Sequence, residues 1–556
     1  MVSKLNTQAV FLLLGLLGSS GCNEWLSEPQ PAKPGIEDFF IAGGGTVATQ
    51  VVNAAYVPLQ WEYGSTYCPE WWIGDVASDD ALKGGQNVSD MAAAYELDNF
   101  RISNNNAILL DWYQLNFHGV ARCNFAIEQL PSVPPDAEMS ERTKKRLLAE
   151  AKFLRALYYF RLVRVFGEVP LVTFTIQTSE KWPQPKESVE NIYAQIFRDL
   201  EDANAGLWLA SELRQNPANV GRATKGAAQA MLLKAHLYYA QWHGERYGTA
   251  KAWGDSIIAS GEYFLEDKYA DNFSIYNENG KESVFEVQYA EEASSDYGSF
   301  NPHFGGTRGT FTTILTRSRS DEVPRKGSGG TTDGWGFNKP TQSLYDEFEA
   351  GDARRDASIL NLYAIDSGLI TNPAEELYMG SAYLTRKYAI MDSALNALWD
   401  GHATRAPINI KLIRYADVLL MYAEACNEAD ELAAAKSALN ALRTKRRAEC
   451  NDPAAQLPDF PNYVNSKTGQ NYDDNRSGLR EAIRHERRVE LAMESHRWFD
   501  LVRWGIAKET MNAYKARETP EVQAAMNDFT EGKNEYFPLP QYELDLSGLE
   551  QNEKWK

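Results

Sequence analysis

Apolar residues that return every third or fourth position constrain this chain more than any other feature. Leu147, Ala151, Leu154, Tyr158, Leu162 and Val165 step by four, three, four, four and three, one stripe along an amphipathic helix. Ala228, Met231, Leu232, Ala235, Tyr238, Tyr239 and Trp242 draw a second stripe. Leu412, Tyr415, Ala416, Leu419, Tyr422, Ala423 and Cys426 repeat that spacing and predict a third helix. Ala435, Leu439 and Leu442 follow a short break at Glu428–Glu431, completing a helix–turn–helix unit of roughly 34 residues.

The spacing predicts helix pairs around 107–166, 188–245, 409–446 and 479–515. Alanines where helices approach and aromatics between them resemble tetratricopeptide repeats. A single pair cannot bury its apolar face, so several must stack into a curved scaffold. The expected fold is mainly α: a right-handed, tetratricopeptide-like scaffold around 107–245 and 405–515 with a loop-rich, irregular ligand-binding portion. That portion is expected around 284–404, where Gly, Ser, Thr, Asn and aromatics lack a helical period. Residues 56–90 have the same character. Long irregular segments in a compact protein are usually functional surface, and their aromatic content argues for order.

Residues 1–21 read as a targeting segment. Lys4 precedes the apolar run Val10 to Leu17, and Gly18, Ser19, Ser20 and Gly21 lead into Cys22. The run is about half the ~20 residues a membrane span requires. The Cys after small residues resembles a bacterial lipoprotein box, although Ser19 stands where an aliphatic residue is usual. Acylation of Cys22 and an extended tether over 22–36, carrying Pro29, Pro31 and Pro34, are expected. One domain then fills 37–556. Cys68, Cys123, Cys426 and Cys450 match no zinc spacing, and the helical contexts of Cys123 and Cys426 favour buried thiols. The chain carries 56 basic and 76 acidic residues, net charge −20, which disfavours a nucleic-acid partner.

Four segments together resemble the SusD/RagB family. They are Ala149–Phe160 running to Phe166-Gly-Glu-Val-Pro-Leu171, Gly221–Ala228, Arg414–Ala425, and Ile483–Leu491 through Arg497-Trp-Phe-Asp-Leu-Val-Arg-Trp-Gly505. Phe537-Pro-Leu-Pro540 and Gln551-Asn552 also fit, with Ser547-Gly548 where an Asn-containing turn is usual. The resemblance implies a glycan-binding lipoprotein of the outer-membrane surface, not an enzyme. Its expected partners are an oligo- or polysaccharide and a TonB-dependent, SusC-like transporter. The alternative is a repeat-type adaptor for peptide or protein ligands.

The motif residues themselves read as structural. Glu486, Arg487, Glu490, Glu494 and Arg497 fall on one helical row, spaced for ion pairs, and Leu491, Trp498, Phe499 and Val502 on an inward face. Each acid has an arginine neighbour that would hold it ionised, unlike the separated acid pair of a glycosidase. Asp417 and Glu424 read the same way. No metal-ligand spacing, Gly-x-Ser-x-Gly or phosphate loop appears. Asp79 and Asp80 suit calcium, but no complete ligand set accompanies them, so no cofactor is expected.

Sugar rings have an apolar face and hydroxylated rims, so a binder needs flat aromatic platforms flanked by polar side chains. Trp61, Tyr63, Tyr67, Trp71 and Trp72, followed by Asp75, Asp79 and Asp80, form the densest such cluster. Tyr289, Tyr297, Phe300, His303, Phe304 and Trp335 form a second, and Arg386 with Tyr388 a third wall. The residues expected to touch ligand are Trp71, Trp72, Asp79, Asp80, Tyr95, Tyr289, Trp335 and Arg386.

Overall fold

The computed structural model describes residues 36–178, 183–290, 309–319, 334–362, 379, 381–390, 394, 406–450, 457–465 and 468–556. Cys22, the targeting segment, the tether before residue 36, and Tyr297, Phe300, His303 and Phe304 lie outside the described residues.

The main helices are α1 (Ile36–Tyr56), α2 (Ala92–Asp98), α3 (Ala107–Gln129), α4 (Glu141–Phe166), α5 (Val189–Gly206) and α6 (Lys225–Tyr239). They continue as α7 (Arg246–Ala259), α8 (Tyr415–Glu428), α9 (Leu432–Arg447), α10 (Arg476–Glu490) and α11 (Arg497–Arg503). Asn106, Ser140, Ser188, Thr224 and Asn475 cap α3, α4, α5, α6 and α10, each accepting a hydrogen bond from a first-turn N–H. The frame is a continuous stack: α1 and α4 flank α3, α5 packs on α4, then α6, α7, α8, α9 and α10 follow. Contact passes directly from α7 to α8, although residues 260–414 lie between them in sequence. The irregular portion is thus an insertion between two adjacent helices. Helix α7, which the apolar spacing left out, belongs to the frame.

Helix α4 is enclosed on several sides. All six residues of its predicted stripe are fully buried, and so are Phe153, Ala156 and Tyr159 from its other sides. Helix α3 approaches so closely that a Cβ on Gly119 would sit 2.3 Å from the Tyr158 ring.

Two short antiparallel pairs fasten the insertion. In the first, β1 (Ala81–Gly84) pairs with β3 (Phe337–Pro340). In the second, β2 (Ser283–Val287) pairs with β4 (Ile410–Arg414), with Ser283 opposite Arg414 and Val287 opposite Ile410. Leu412 therefore lies on a strand, and the third helix starts only at Tyr415. The β-branched Ile410 and Ile413 favour the extended ladder over another helical turn.

The predicted charged row is also shorter than its spacing suggested. Helix α10 stops at Glu490, because Met493 and Ser495 take left-handed backbones at φ 61° and 64°. The pairs form between elements, not along one helix. Glu490 accepts from Arg414 at 2.6 Å, Arg446 at 2.8 Å and Arg354 at 2.9 Å. Glu486 accepts from Arg354 and Arg443 at 2.6 Å each. Glu282 accepts from Arg414 at 2.7 Å, and Glu494 from Arg414 at 2.8 Å and Lys387 at 2.6 Å. With Asp352 on Arg354, five carboxylates face five cations (Arg354, Lys387, Arg414, Arg443 and Arg446), all essentially buried. Burial disfavours the Glu490 charge, but Arg446, Arg414 and Arg354 hold its carboxyl well below the usual range.

Removing one partner of such a network strands the others in low dielectric. Glu490→Gln is expected to lower unfolding free energy by about 3–5 kcal/mol. Lys508→Ala, which breaks the exposed pair with Glu531, should change it by less than about 1 kcal/mol. Urea denaturation of both variants measures the contrast. The same groups set the pH range of stability. Despite burial, Arg354 and Arg443 bring Glu486 to about 2, and His485 with Arg488 brings Glu347 to about 2. Both stabilise above the unfolded carboxylate value, and that contribution is lost as pH falls toward 2. His485 resists burial through Glu347 and Glu349 and rises to about 9. Its contribution is present below the unfolded histidine value and lost as pH rises through 9. The difference in thermal stability between wild type and His485→Gln is expected to shrink as pH rises from about 6.5 through 9.

Candidate functional site

The segments that leave the frame meet beside α3. Tyr63-Gly-Ser-Thr-Tyr67 is a tight turn closed by a bridge between its tyrosines and by the Gly64 N–H on the Thr66 carbonyl at 2.9 Å. Asp111 of α3 accepts from the Ser65 hydroxyl at 2.9 Å and the Thr66 N–H at 2.8 Å, pinning the turn to the frame. The Thr66 hydroxyl donates to the Met91 sulfur at 3.7 Å. Met91 itself holds φ 57°, a left-handed backbone that a long side chain rarely adopts.

Glu62 welds this turn to the insertion. Its carboxylate accepts from the Thr310 hydroxyl at 2.7 Å, the Phe311 N–H at 2.6 Å and the Thr312 hydroxyl at 2.7 Å. Burial raises the Glu62 carboxyl above its ordinary value, and the bonds from Thr312, Thr310 and Phe311 offset part of that rise. The Gly334-Trp335-Gly336 strip lies across the short helix Thr312–Thr316, with Trp335 N–H on the Ile314 carbonyl at 2.9 Å and Gly336 N–H on Arg317 at 2.8 Å.

Four rings gather as a result. Tyr67 meets Tyr63 at 4.8 Å, Trp335 at 5.2 Å and Phe311 at 5.4 Å between centroids, and Tyr63 lies 6.2 Å from Phe311. Phe311 is the buried floor, whereas Tyr63, Tyr67 and Trp335 are half-buried. Tilted and edge-on contacts of this kind hold rings rigidly. The arrangement suits a ligand with an apolar face and hydroxyl edges.

Of the residues expected at the ligand, Trp335 falls in this cluster. Tyr95 is half-buried on α2, one turn beyond Met91. The tryptophan pair requires correction: Trp71 is 4% exposed and Trp72 fully buried, the two rings tilted against each other with centroids 4.1 Å apart. Trp71 donates to the Thr312 hydroxyl at 3.2 Å, and Trp72 meets Phe337 edge-on. The helical turn Trp72–Val76 packs on α2, α11, β1 and β3, which leaves these rings no open face. Asp79 and Asp80 are corrected likewise. Asp79 binds Arg497 at 2.7 Å and Arg488 at 2.9 Å, and Asp80 binds Arg488 at 2.8 Å, with both carboxylates buried. Tyr289 is buried too, its hydroxyl on the Gln60 carbonyl at 3.3 Å and its N–H on Asn409. Arg386 is exposed but lies in another cleft, beside Phe273 and Tyr276, and Tyr388 is buried.

Tyr63 and Tyr67 belong to the same aromatic run as the larger tryptophans. The signal that separates them is local. Gly64-Ser65-Thr66 is turn chemistry, whereas Ile73 and Val76 around the tryptophans are core residues. Phe311, Glu62 and Asp111 carried no such signal. Cys68, Cys123 and Cys426 are buried free thiols. Among the described residues no group of three or more His, Cys, Asp or Glu is arranged for a metal, and no helix is long and apolar enough to cross a membrane.

Helix pairs stacked into a frame, with half-buried rings on irregular segments beside it, define a tetratricopeptide-like fold carrying a lateral aromatic site. Two family profiles match in tandem: "Starch-binding associating with outer membrane" over residues 50–237 and "SusD family" over 361–555. SusD-like protein P2 of Formosa agariphila is 24% identical over 98% of this chain and 97% of its own. The starch-binding protein SusD of Bacteroides thetaiotaomicron is 26% identical over 39% of this chain and 35% of its own. A laminarin-binding SusD-like protein of known structure superposes with TM-score 0.72 at 28% identity, covering 92% of this chain and 99% of that one. Surface glycan-binding protein A from Bacteroides thetaiotaomicron, in complex with laminarihexaose, gives 0.73 at 24% identity over 91% and 99%. The chain belongs to the SusD/RagB family.

The junction at Glu62 is testable apart from any ligand. Glu62→Ala leaves two threonine hydroxyls and the Phe311 N–H without their acceptor and is expected to lower stability by roughly 1–3 kcal/mol in urea denaturation.

Proposed function

We propose that the protein captures glycan chains by laying sugar faces against Tyr67, Tyr63 and Trp335. The observation that carries this reading is the half-buried ring cluster, fixed from behind by Glu62 and Asp111. A sugar stacked on such rings gains contact area without the rings having to be ordered on binding. The relatives named for starch, laminarin and laminarihexaose support a glucan as the first polymer to test. We read the protein as a binding module without catalysis. Glu62 and Asp111 spend their oxygens on threonine, serine and backbone donors, and the motif acids Glu486 and Glu490 are held ionised by buried arginines.

In this reading Cys22 is acylated, the protein lies on the outer-membrane surface, and the captured glycan passes to a TonB-dependent, SusC-like transporter. The outer-membrane association in the family's description supports the location.

Affinity electrophoresis through gels containing laminarin, starch and other polysaccharides tests the assignment. Wild-type protein is expected to be retarded by at least one polymer, and Tyr67→Ala or Trp335→Ala to weaken retention about tenfold each. Trp72→Ala is the wrong probe, since emptying a buried tryptophan site costs about 3–5 kcal/mol and reports on folding. Undiminished retention in both ring variants, or shorter saccharides appearing with purified protein, would sink the proposal.

A further inference from the structure

A second cleft, of about 390 Å³, opens where the insertion folds back on the frame. Three segments build it: the turn Phe273–Tyr276, the end of the short helix Ala353–Ser358, and Arg386–Ile390. It shares no lining residue with the aromatic cluster. Its size lies within the ~300–1,000 Å³ of ordinary small-molecule sites.

The walls differ in chemistry. Tyr276 is 73% exposed, far more than any ring of the first cluster. Its backbone is nonetheless fixed: its N–H bonds the Ser274 hydroxyl at 3.2 Å, and the Asn277 N–H closes the turn on the Ser274 carbonyl at 3.0 Å. Phe273 is half-buried, edge-on to Tyr388 at 6.2 Å, with the Lys387 ammonium 4.6 Å from its ring centre. Lys387 is in turn fixed by Glu494 at 2.6 Å, so one wall is tied to the buried ionic network. Opposite stands exposed Arg386, whose guanidinium donates to the Asp356 carbonyl at 2.8 Å while its N–H bonds the Ser358 carbonyl at 2.9 Å. A guanidinium carries five N–H donors, and the exposed Asp356 carboxylate adds acceptors. The Asp356 carboxylate lies 3.3 Å from the Arg355 guanidinium, and Lys387 is neutralised by Glu494.

Two aromatic rings, a fan of donors and a carboxylate are what a sugar ring requires, with its apolar face and hydroxyl rim. We infer that the Phe273–Tyr276–Arg386 cleft is a second glycan contact that takes one sugar unit, separate from the Tyr63–Tyr67–Trp335 cluster. The inference rests on the glycan-binding reading. Two contacts on one polymer raise retention beyond either alone, because the second engagement is intramolecular.

The test uses four full-length proteins: wild type, a cluster variant (Tyr67→Ala with Trp335→Ala), a cleft variant (Tyr276→Ala with Arg386→Ala), and all four substitutions together. Each is run in gels of every polysaccharide that retains wild type. The cleft variant is expected to lose about three- to tenfold in retention. The combined variant should lose whatever retention the cluster variant keeps, and Tyr276→Phe, which keeps the ring, should restore it. Both cleft residues are exposed, so unchanged thermal unfolding is expected to accompany the loss. Wild-type retention in the cleft variant beside a weakened cluster variant overturns the second contact and leaves the first standing. The reverse pattern moves the glycan to the cleft and overturns the cluster assignment. Wild-type protein that no polysaccharide retards removes both.

Discussion

The buried carboxylate of Glu490, shared among Arg354, Arg414 and Arg446, is the interaction on which the rest of the architecture hangs. Each partner comes from a different part of the chain. Arg446 belongs to α9, Arg414 ends β4 where the insertion rejoins the frame, and Arg354 lies inside the insertion. Glu282, beside β2 at the start of the insertion, accepts from both Arg414 and Arg446. Entry, exit and middle of residues 260–414 are therefore tied to one point on α10. Desolvating so many charges offsets much of their attraction, so the network contributes less to net stability than its pair count suggests. Its stronger effect is on alternatives, since any other docking of the insertion would bury unpaired charges.

Helix α10 spreads this constraint in three directions. Glu486 and Glu490 face the insertion and α9. Arg487 reaches Asp417 of α8 at 2.8 Å and Asp500 of α11 at 3.0 Å. Arg488 reaches Asp79, Asp80 and Glu347. The last set explains why Asp79 and Asp80 are unavailable to a ligand: they anchor the Trp71–Lys83 stretch. That anchored stretch meets the site through Trp71, whose indole N–H donates to Thr312 beside Phe311. Asp79 and Asp80 thus serve to hold this stretch on α10.

How much of this was legible in sequence follows from the range of each interaction. Helical stripes are local, so α4, α6, α8 and α9 could be read directly, and Trp242 alone among the stripe residues turned out exposed, just past the end of α6. Leu412 failed because a strand and the first turn of a helix share the same few apolar residues, and only pairing with β2 decides between them. The charged row of α10 failed because left-handed turns at Met493 and Ser495 ended the helix early. The aromatic run at 61–72 stands out in the sequence, yet which of its rings face water depends on packing by β3 and α11, hundreds of residues away. Burial of a tryptophan beside Ile73 and Val76 could have been anticipated; the partnership of Tyr67 with Phe311 and Trp335 could not.

This separation of roles bears on how one scaffold can serve different ligands. The arginine–carboxylate network and the α4 core admit little substitution, since each member is buried against several partners. The rings at Tyr63, Tyr67 and Trp335, and those at Phe273 and Tyr276, sit on turns whose backbone is secured by short side chains such as Ser65, Thr66 and Ser274. A ring on such a turn can be exchanged, or the turn lengthened, without disturbing the helices behind it. Ligand choice is therefore written in the residues of lowest burial, and likeness of fold says least where it matters most for the identity of the sugar.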